Sequence, residues 1–261
     1  MSYHIGFIGF GRMAQAIWKG VADRGFPASC VDTSVTRHEE ARVLHVSVTT
    51  LDDLLAKSDI LIFCVKPQDI RAILQSFPSV DMTSKLLITI LAGTKISLYE
   101  EYLGNSIQML RVLPNLPTTV GAGMSALSFN GHVNGPYITF SKDLFSSLGE
   151  IIEVPEDILD VVTGVSGSSP AFFYRIADVM AKVGEREGMD YHQALTCAAQ
   201  ALVGAGKMLL LSRKSPQQLI DDVSSPQGAT IAGLEVFDKS NITKDVQDIL
   251  TRTIQRSYEL A

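Results

Sequence analysis

Ile5-Gly6-Phe7-Ile8-Gly9-Phe10-Gly11-Arg12-Met13-Ala14 is the stretch that decides the fold. A short β-rich run ends at Gly9, and Met13, Ile17 and Val21 then recur at helical spacing. The segment from Gly9 to Ala14 thus matches G-x-G-x-x-G/A in the context that the motif requires, a strand before it and a helix after it. Each small residue has a physical task. Gly9 permits the tight turn, Gly11 lets a pyrophosphate approach the main chain, and Ala14 keeps the helix close to the sheet, so that unpaired N–H groups at the helix start face an anion. A glycine-rich turn without a ligand is the competing reading of the motif taken alone.

Further β-rich runs follow at 29–31, 46–48, 60–65, 86–90 and 107–112, with amphipathic stretches between them, including 13–21 and 70–77. This alternation predicts a parallel, doubly wound α/β sheet. The pattern breaks at Leu113-Pro114-Asn115-Leu116-Pro117, one more strand pair follows at 124–129 and 151–154, and beyond Pro155 the spacing is helical throughout. The expected organisation is a Rossmann-type dinucleotide-binding domain over residues 1–155 and an all-helical domain over 156–261. The stretch 198–211 is apolar nearly all round, more than a small helical domain buries by itself, and predicts a homodimer that exchanges helices. A central helix wrapped by its own neighbours is the alternative.

Asp32 ends the second run, where an acidic residue binds the adenosine ribose diol of NAD. Thr33, Ser34, Thr36 and Arg37 beside it offer hydroxyls and a guanidinium suited to the 2′-phosphate of NADP, which Asp32 would repel. The two cofactors remain open on these residues.

Composition narrows the rest. The chain has 261 residues, 46% apolar and 19% charged, which excludes disordered and collagen-like classes. Its formal charge of −6 implies no basic face for nucleic acid. Three cysteines without a CxxC pair suggest neither disulfides nor zinc, and suit the cytoplasm. The apolar run 60–65 is far short of a membrane span. Five histidines without an HxxxH pair give no metal site, and neither a G-x-S-x-G elbow nor a P-loop occurs.

Five more motifs stand in order along the chain: Val65-Lys66-Pro67-Gln68, Ala92-Gly93, Arg111-Val112-Leu113-Pro114-Asn115, Gly167-Ser168-Ser169-Pro170-Ala171, and Ser224-Ser225-Pro226-Gln227-Gly228-Ala229-Thr230. With these the sequence resembles the pyrroline-5-carboxylate reductases over residues 4–260. The resemblance implies a Rossmann domain followed by a helical dimerisation domain, and NAD(P)H-dependent reduction of the C=N bond of 1-pyrroline-5-carboxylate to L-proline. It favours NADP(H), with NAD(H) possible. The implied cofactor residues are Gly9, Gly11, Arg12, Met13, Asp32, Thr33, Ser34, Arg37, Val65, Lys66, Pro67, Ala92 and Gly93. The implied substrate residues are Val223, Ser225, Gly228, Ala229 and Thr230, with the Thr230 hydroxyl directed at the ring nitrogen as the catalytic group.

Independently of the resemblance, Ser225 reads as an N-cap and Pro226 as the first residue of a helix, so that the N–H groups that follow favour a carboxylate. Ser168 and Ser169 before Pro170 read either as a helix cap or as substrate contacts. The sequence departs from the family pattern at Gln227, where a glycine is usual, at Leu116, where a threonine is usual, and at Leu51, about where many members carry a cofactor-binding asparagine. Other cyclic-imine reductases, a β-hydroxyacid dehydrogenase using Lys182 or Lys207, and a regulator that binds nicotinamide without turnover are the alternative functions.

Overall fold

The computed structural model describes residues 3–78 and 80–260. Among them, eight strands form one sheet: β1 (Ile5–Ile8), β2 (Ala28–Val31), β3 (Ser47–Val48), β4 (Ile60–Phe63), β5 (Leu86–Thr89), β6 (Gln108–Pro114), β7 (Gly123–Phe129) and β8 (Gly149–Glu153). Their order is β3-β2-β1-β4-β5-β6-β7-β8. All pairings are parallel except that of β6 with β7, which is antiparallel. The connecting helices are α1 (Arg12–Lys19), α2 (Val35–Val43), α3 (Leu51–Lys57), α4 (Ile70–Gln75), α5 (Ile96–Leu103), α6 (Gly135–Ser146) and α7 (Leu159–Val162).

The central strands are apolar along their whole length because helices cover both faces. Side chains of successive strand residues enter opposite cores. Ile60 and Ile62 of β4 join Ile5 and Phe7 of β1 in the layer beneath α1 and α6. Leu61 and Phe63 join Ile8, Leu54 of α3 and Tyr99 of α5 on the other side. Strand order reverses between β1 and β4, so the carboxyl ends of these two strands diverge around a crevice, the place where open α/β sheets bind ligands.

The chain divides into two compact units. One takes residues up to Ser168 and, from Thr253, the end of the chain; the other is Ser169–Arg252. The first unit thus continues past Pro155. Ser257, near the carboxyl end of the chain, is buried against Asp160 of α7, its hydroxyl donating to Oδ1 at 2.6 Å.

The second unit holds α8 (Ser169–Arg186), α9 (Tyr191–Leu211), α10 (Pro216–Asp222), α11 (Ala229–Lys239) and the beginning of α12 (Ile242–Leu260). Helices α8 and α9 approach through small residues. Ala177, Ala181, Ala194 and Ala198 are buried, and a Cβ placed on Gly184 would come within 2.9 Å of the Ala194 Cβ. Many of the larger apolar side chains, such as Phe173, Val179, Val203, Leu209 and Phe237, stay exposed on the protomer. By length and composition α9 could cross a membrane, and only 11% of its apolar window is buried within the chain. A helical unit whose sealed contacts are alanines needs a further apolar surface against these helices to form a core.

The Ser-Pro segment at 168–170 stands at the start of α8, directly after another helical turn. Residues Thr163–Gly167 form a π turn that leads into α8, and the Ser168 N–H donates to the Thr163 carbonyl at 2.9 Å. Pro170 is the second residue of α8, in the first turn, where its missing N–H breaks no bond of the helix.

Candidate functional site

The glycine turn forms as the sequence requires. Gly9 has φ +86°, and a Cβ on it would lie 2.9 Å from the carbonyl oxygen of Cys64, the residue that follows β4. Gly11 is the N-cap of α1 and has no side chain to offer the first-turn amides. A Cβ on Gly11 would meet nothing within 4 Å, so its open face belongs to the crevice. That crevice has a volume of about 850 Å³ and is lined by Gly9, Gly11, Asp32, Thr33, Ser34, Arg37, Val65 and Lys66, among others. A floor of main-chain atoms with uncapped amides at one end fits a pyrophosphate, and the volume is in the range of cofactor sites.

Asp32 braces this floor. Its Oδ2 accepts from the Phe10 N–H at 2.7 Å and its Oδ1 from the Ser34 N–H at 2.9 Å. The carboxylate thus joins the glycine turn to the start of α2. Arg37 lies in the first turn of α2, and its guanidinium donates to Glu40 Oε2 at 2.5 Å. The Gln15 amide reaches the same oxygen from α1 at 2.6 Å. Cys64 also lines the crevice, but burial pushes its thiol far up, so it stays protonated and is no nucleophile.

Five implied cofactor residues lie outside this crevice. Pro67 and Gly93 line a neighbouring one of about 580 Å³, and Gln68 borders both. Met13 packs into the apolar layer under α1, and Arg12 and Ala92 are exposed. Asp69, Ile73 and Ser76 line the first crevice without having been singled out in the sequence, and Gln68, quoted there only as part of a motif, lines it too. Their position just beyond the end of β4 was the available signal, since strand ends at a switch point face the ligand. Leu51, one of the departures from the family pattern, lines the crevice too.

The second unit carries the other predicted set. Here the sequence reading needs correction: the helix starts at Ala229 with Gly228 as N-cap, not at Pro226 with Ser225 as N-cap. Residues 225–228 form a turn closed by the Gly228 N–H on the Ser225 carbonyl at 2.9 Å. Pro226 occupies its second position, which suits a fixed φ, and Gln227 its third, at φ +59°. A glycine would hold that conformation without strain, so Gln227 keeps the loop shape at an energetic cost. A Cβ on Gly228 would sit 2.5 Å from the Ser225 hydroxyl, so only glycine lets the loop fold back this tightly. Since Gly228 cannot cap with a side chain, the first-turn amides of α11, including those of Ala229 and Thr230, suit an anion. Val223 ends α10, and Val223, Ser225, Ala229 and Thr230 are all exposed.

The chain is 35% identical to the pyrroline-5-carboxylate reductase of Methanosarcina acetivorans across 98% of its own length and 97% of that protein's. It belongs to the pyrroline-5-carboxylate reductase family. Another reductase of this name, from Pisum sativum, is 34% identical across 100% of the chain and 97% of its own length. Residues 156–260 match the model described as pyrroline-5-carboxylate reductase dimerisation. Residues 4–93 match that of a coenzyme F420-dependent NADP oxidoreductase. Among solved structures, the pyrroline-5-carboxylate reductase of Coxiella burnetii superposes with a TM-score of 0.89 at 26% identity, covering 100% of this chain and 99% of that one. The Plasmodium falciparum enzyme with NADP bound gives a TM-score of 0.84 at 26% identity, covering 99% and 98%. Membership of this family accounts for the exposed apolar faces of α8 and α9: the helical domain is a self-association domain.

The lysine that a β-hydroxyacid dehydrogenase would use has other work here. Lys182 pairs with Asp178 one turn earlier on α8, Nζ to Oδ2 at 2.7 Å, and the same carboxylate accepts from Tyr191 at 2.9 Å.

Proposed function

We propose that this chain reduces 1-pyrroline-5-carboxylate to L-proline with NADPH or NADH, as a cytoplasmic homodimer that exchanges helices. The observation that carries the reading is the end-to-end likeness to pyrroline-5-carboxylate reductases, spanning both the dinucleotide crevice and the uncapped start of α11. The nicotinamide supplies a hydride to the imine carbon.

The chain's own residues bind and orient. Gly9 and Gly11 present main chain to the pyrophosphate, with Arg12 and Met13 supplying first-turn amides of α1. Asp32, Thr33, Ser34 and Arg37 surround the adenosine ribose, while Val65, Lys66, Pro67, Ala92 and Gly93 flank the nicotinamide half. On the substrate side, the Ala229 and Thr230 amides with the Ser225 hydroxyl fix the carboxylate, Val223 packs beside the ring, and Gly228 keeps the loop closed. Holding the ring in one orientation removes most of the entropy of encounter from the chemical step. An imine nitrogen takes a proton near neutral pH, so the Thr230 hydroxyl need only hydrogen-bond that nitrogen and pass on a proton.

Steady-state oxidation of NADPH and of NADH in the presence of pyrroline-5-carboxylate tests the reading, with the six-membered imine acid in parallel. Substrate-dependent oxidation is expected with the five-membered ring. Cofactor binding without oxidation by either imine would replace this reading with the regulator. For Thr230→Ala, kcat should fall roughly ten- to a thousandfold, the range of a positioned proton donor. Thr230→Ser should retain most of the activity, and unchanged kinetics in the alanine variant would remove the role.

A further inference from the structure

The adenosine end of the crevice holds a charge arrangement that its lining residues do not disclose by themselves. Arg37 lines the crevice together with Asp32, Thr33 and Ser34. Its guanidinium is bound to Glu40, which is not among the lining residues. Both partners are partly exposed, at 33% and 38%, so the pair is accessible and can be exchanged for another anion. Glu40 is in turn held by Gln15, whose amide also donates to the Phe10 carbonyl at 3.1 Å. The carboxylate is thereby tied to the glycine turn and is not a freely rotating surface group. The Arg37 bond first, then the Gln15 bond, keep the carboxyl below its usual range, with the charge of Arg12 a minor contribution. Asp32 adds a second negative charge, its two oxygens engaged by Phe10 and Ser34.

We propose that Glu40 is the specificity-determining residue for the cofactor: by holding Arg37, it opposes a ribose 2′-phosphate and lets the cofactor with a free diol compete. The inference rests on the reading of the crevice as a nicotinamide-dinucleotide site. A 2′-phosphate must displace the Glu40 carboxylate from Arg37 and then remain beside it, whereas a diol meets neither demand. Converting Glu40 to glutamine keeps the side-chain shape and a hydrogen-bonding oxygen, and removes the competing charge.

The test is calorimetric titration with adenosine 2′,5′-bisphosphate and with adenosine 5′-monophosphate, neither of which carries a nicotinamide. E40Q should bind the bisphosphate about tenfold tighter than the natural protein, the scale of one freed charge-assisted pair, and the monophosphate within about twofold. In an R37Q background the same substitution should yield less than about a threefold gain, because the cation that it liberates is missing. The NADPH-to-NADH ratio of kcat/KM should rise about tenfold in E40Q. Unchanged bisphosphate affinity in E40Q, an equal gain for both probes, or the full gain without Arg37 would each overturn the assignment, as would failure of both probes to bind. If the expected discrimination appears while pyrroline-5-carboxylate supports no turnover, the proposed reaction fails and the role of Glu40 stands. Turnover without discrimination would leave the reaction standing and overturn the role of Glu40.

Discussion

Replacing Glu156 by alanine is expected to destabilise the protein by about 3 kcal/mol or more, the scale of a buried charge deprived of its partner. Arg111 of β6 is 3% exposed and its guanidinium donates to Glu156 Oε1 at 3.1 Å. The same oxygen accepts from the Ile96 N–H, at the start of α5, at 2.7 Å. Removing the carboxylate therefore leaves a buried cation unpaired and an orphan amide at a helix start where no side-chain cap exists. Glu156→Gln separates the two losses. It keeps an acceptor for Ile96 and loses only the charge, so it should fall between the natural protein and the alanine variant. Replacing Arg111 and Glu156 together by leucine should recover much of the loss, since an apolar pair requires no desolvation. Urea unfolding at fixed protein concentration checks this through the midpoint at constant m-value. An alanine variant within about 1 kcal/mol of the natural protein would mean that solvent replaces Glu156 freely.

The second large effect concerns the two glycines of the turn, which should respond differently to the same methyl group. At Gly9 the methyl meets the Cys64 carbonyl and the Val65 side chain at 2.9 Å, in a left-handed conformation that costs an L-residue about 1 to 2 kcal/mol. Gly9→Ala should therefore lower both stability and cofactor binding, because relief requires β1 and β4 to part where the crevice begins. At Gly11 the methyl meets no protein atom and φ is −73°, an ordinary value. Gly11→Ala should melt within a few degrees of the natural protein, yet weaken NADPH and NADH at least tenfold, because it fills space needed for close approach of a pyrophosphate to the main chain. Thermal melts paired with titration of each reduced cofactor read both quantities. Full affinity in Gly11→Ala would place the pyrophosphate elsewhere.

Much of this protein is legible locally. The strand, glycine turn and helix of residues 5–19 follow from β-rich, left-handed and helical demands carried by neighbouring residues, and the later alternation of runs and amphipathic stretches foretells the parallel sheet. The helical second half follows from spacing in the same way. Such signals work because a strand's apolar content, a φ beyond the reach of L-residues and a 3.6-residue period are properties of a few consecutive positions. The pairing of Arg37 with Glu40 was also within reach, since i and i+3 share a helix face.

Tertiary structure decided what depends on which distant atoms meet. Asp32 turned out to brace Phe10, 22 positions earlier in the chain, and Gln15 to hold Glu40 from another helix. Glu156 found Arg111 across 45 positions, joining β6 and the start of α5 to the segment that leads into the helical half. Even the start of α11 moved from Pro226 to Ala229, because the Ser225 carbonyl takes the Gly228 N–H and Gln227 adopts a conformation that its residue type disfavours. Residue type declares what a group can bind. Which partner it receives is set by the approach of elements far apart in sequence, and in a packed interior a shift of an ångström exchanges one partner for another.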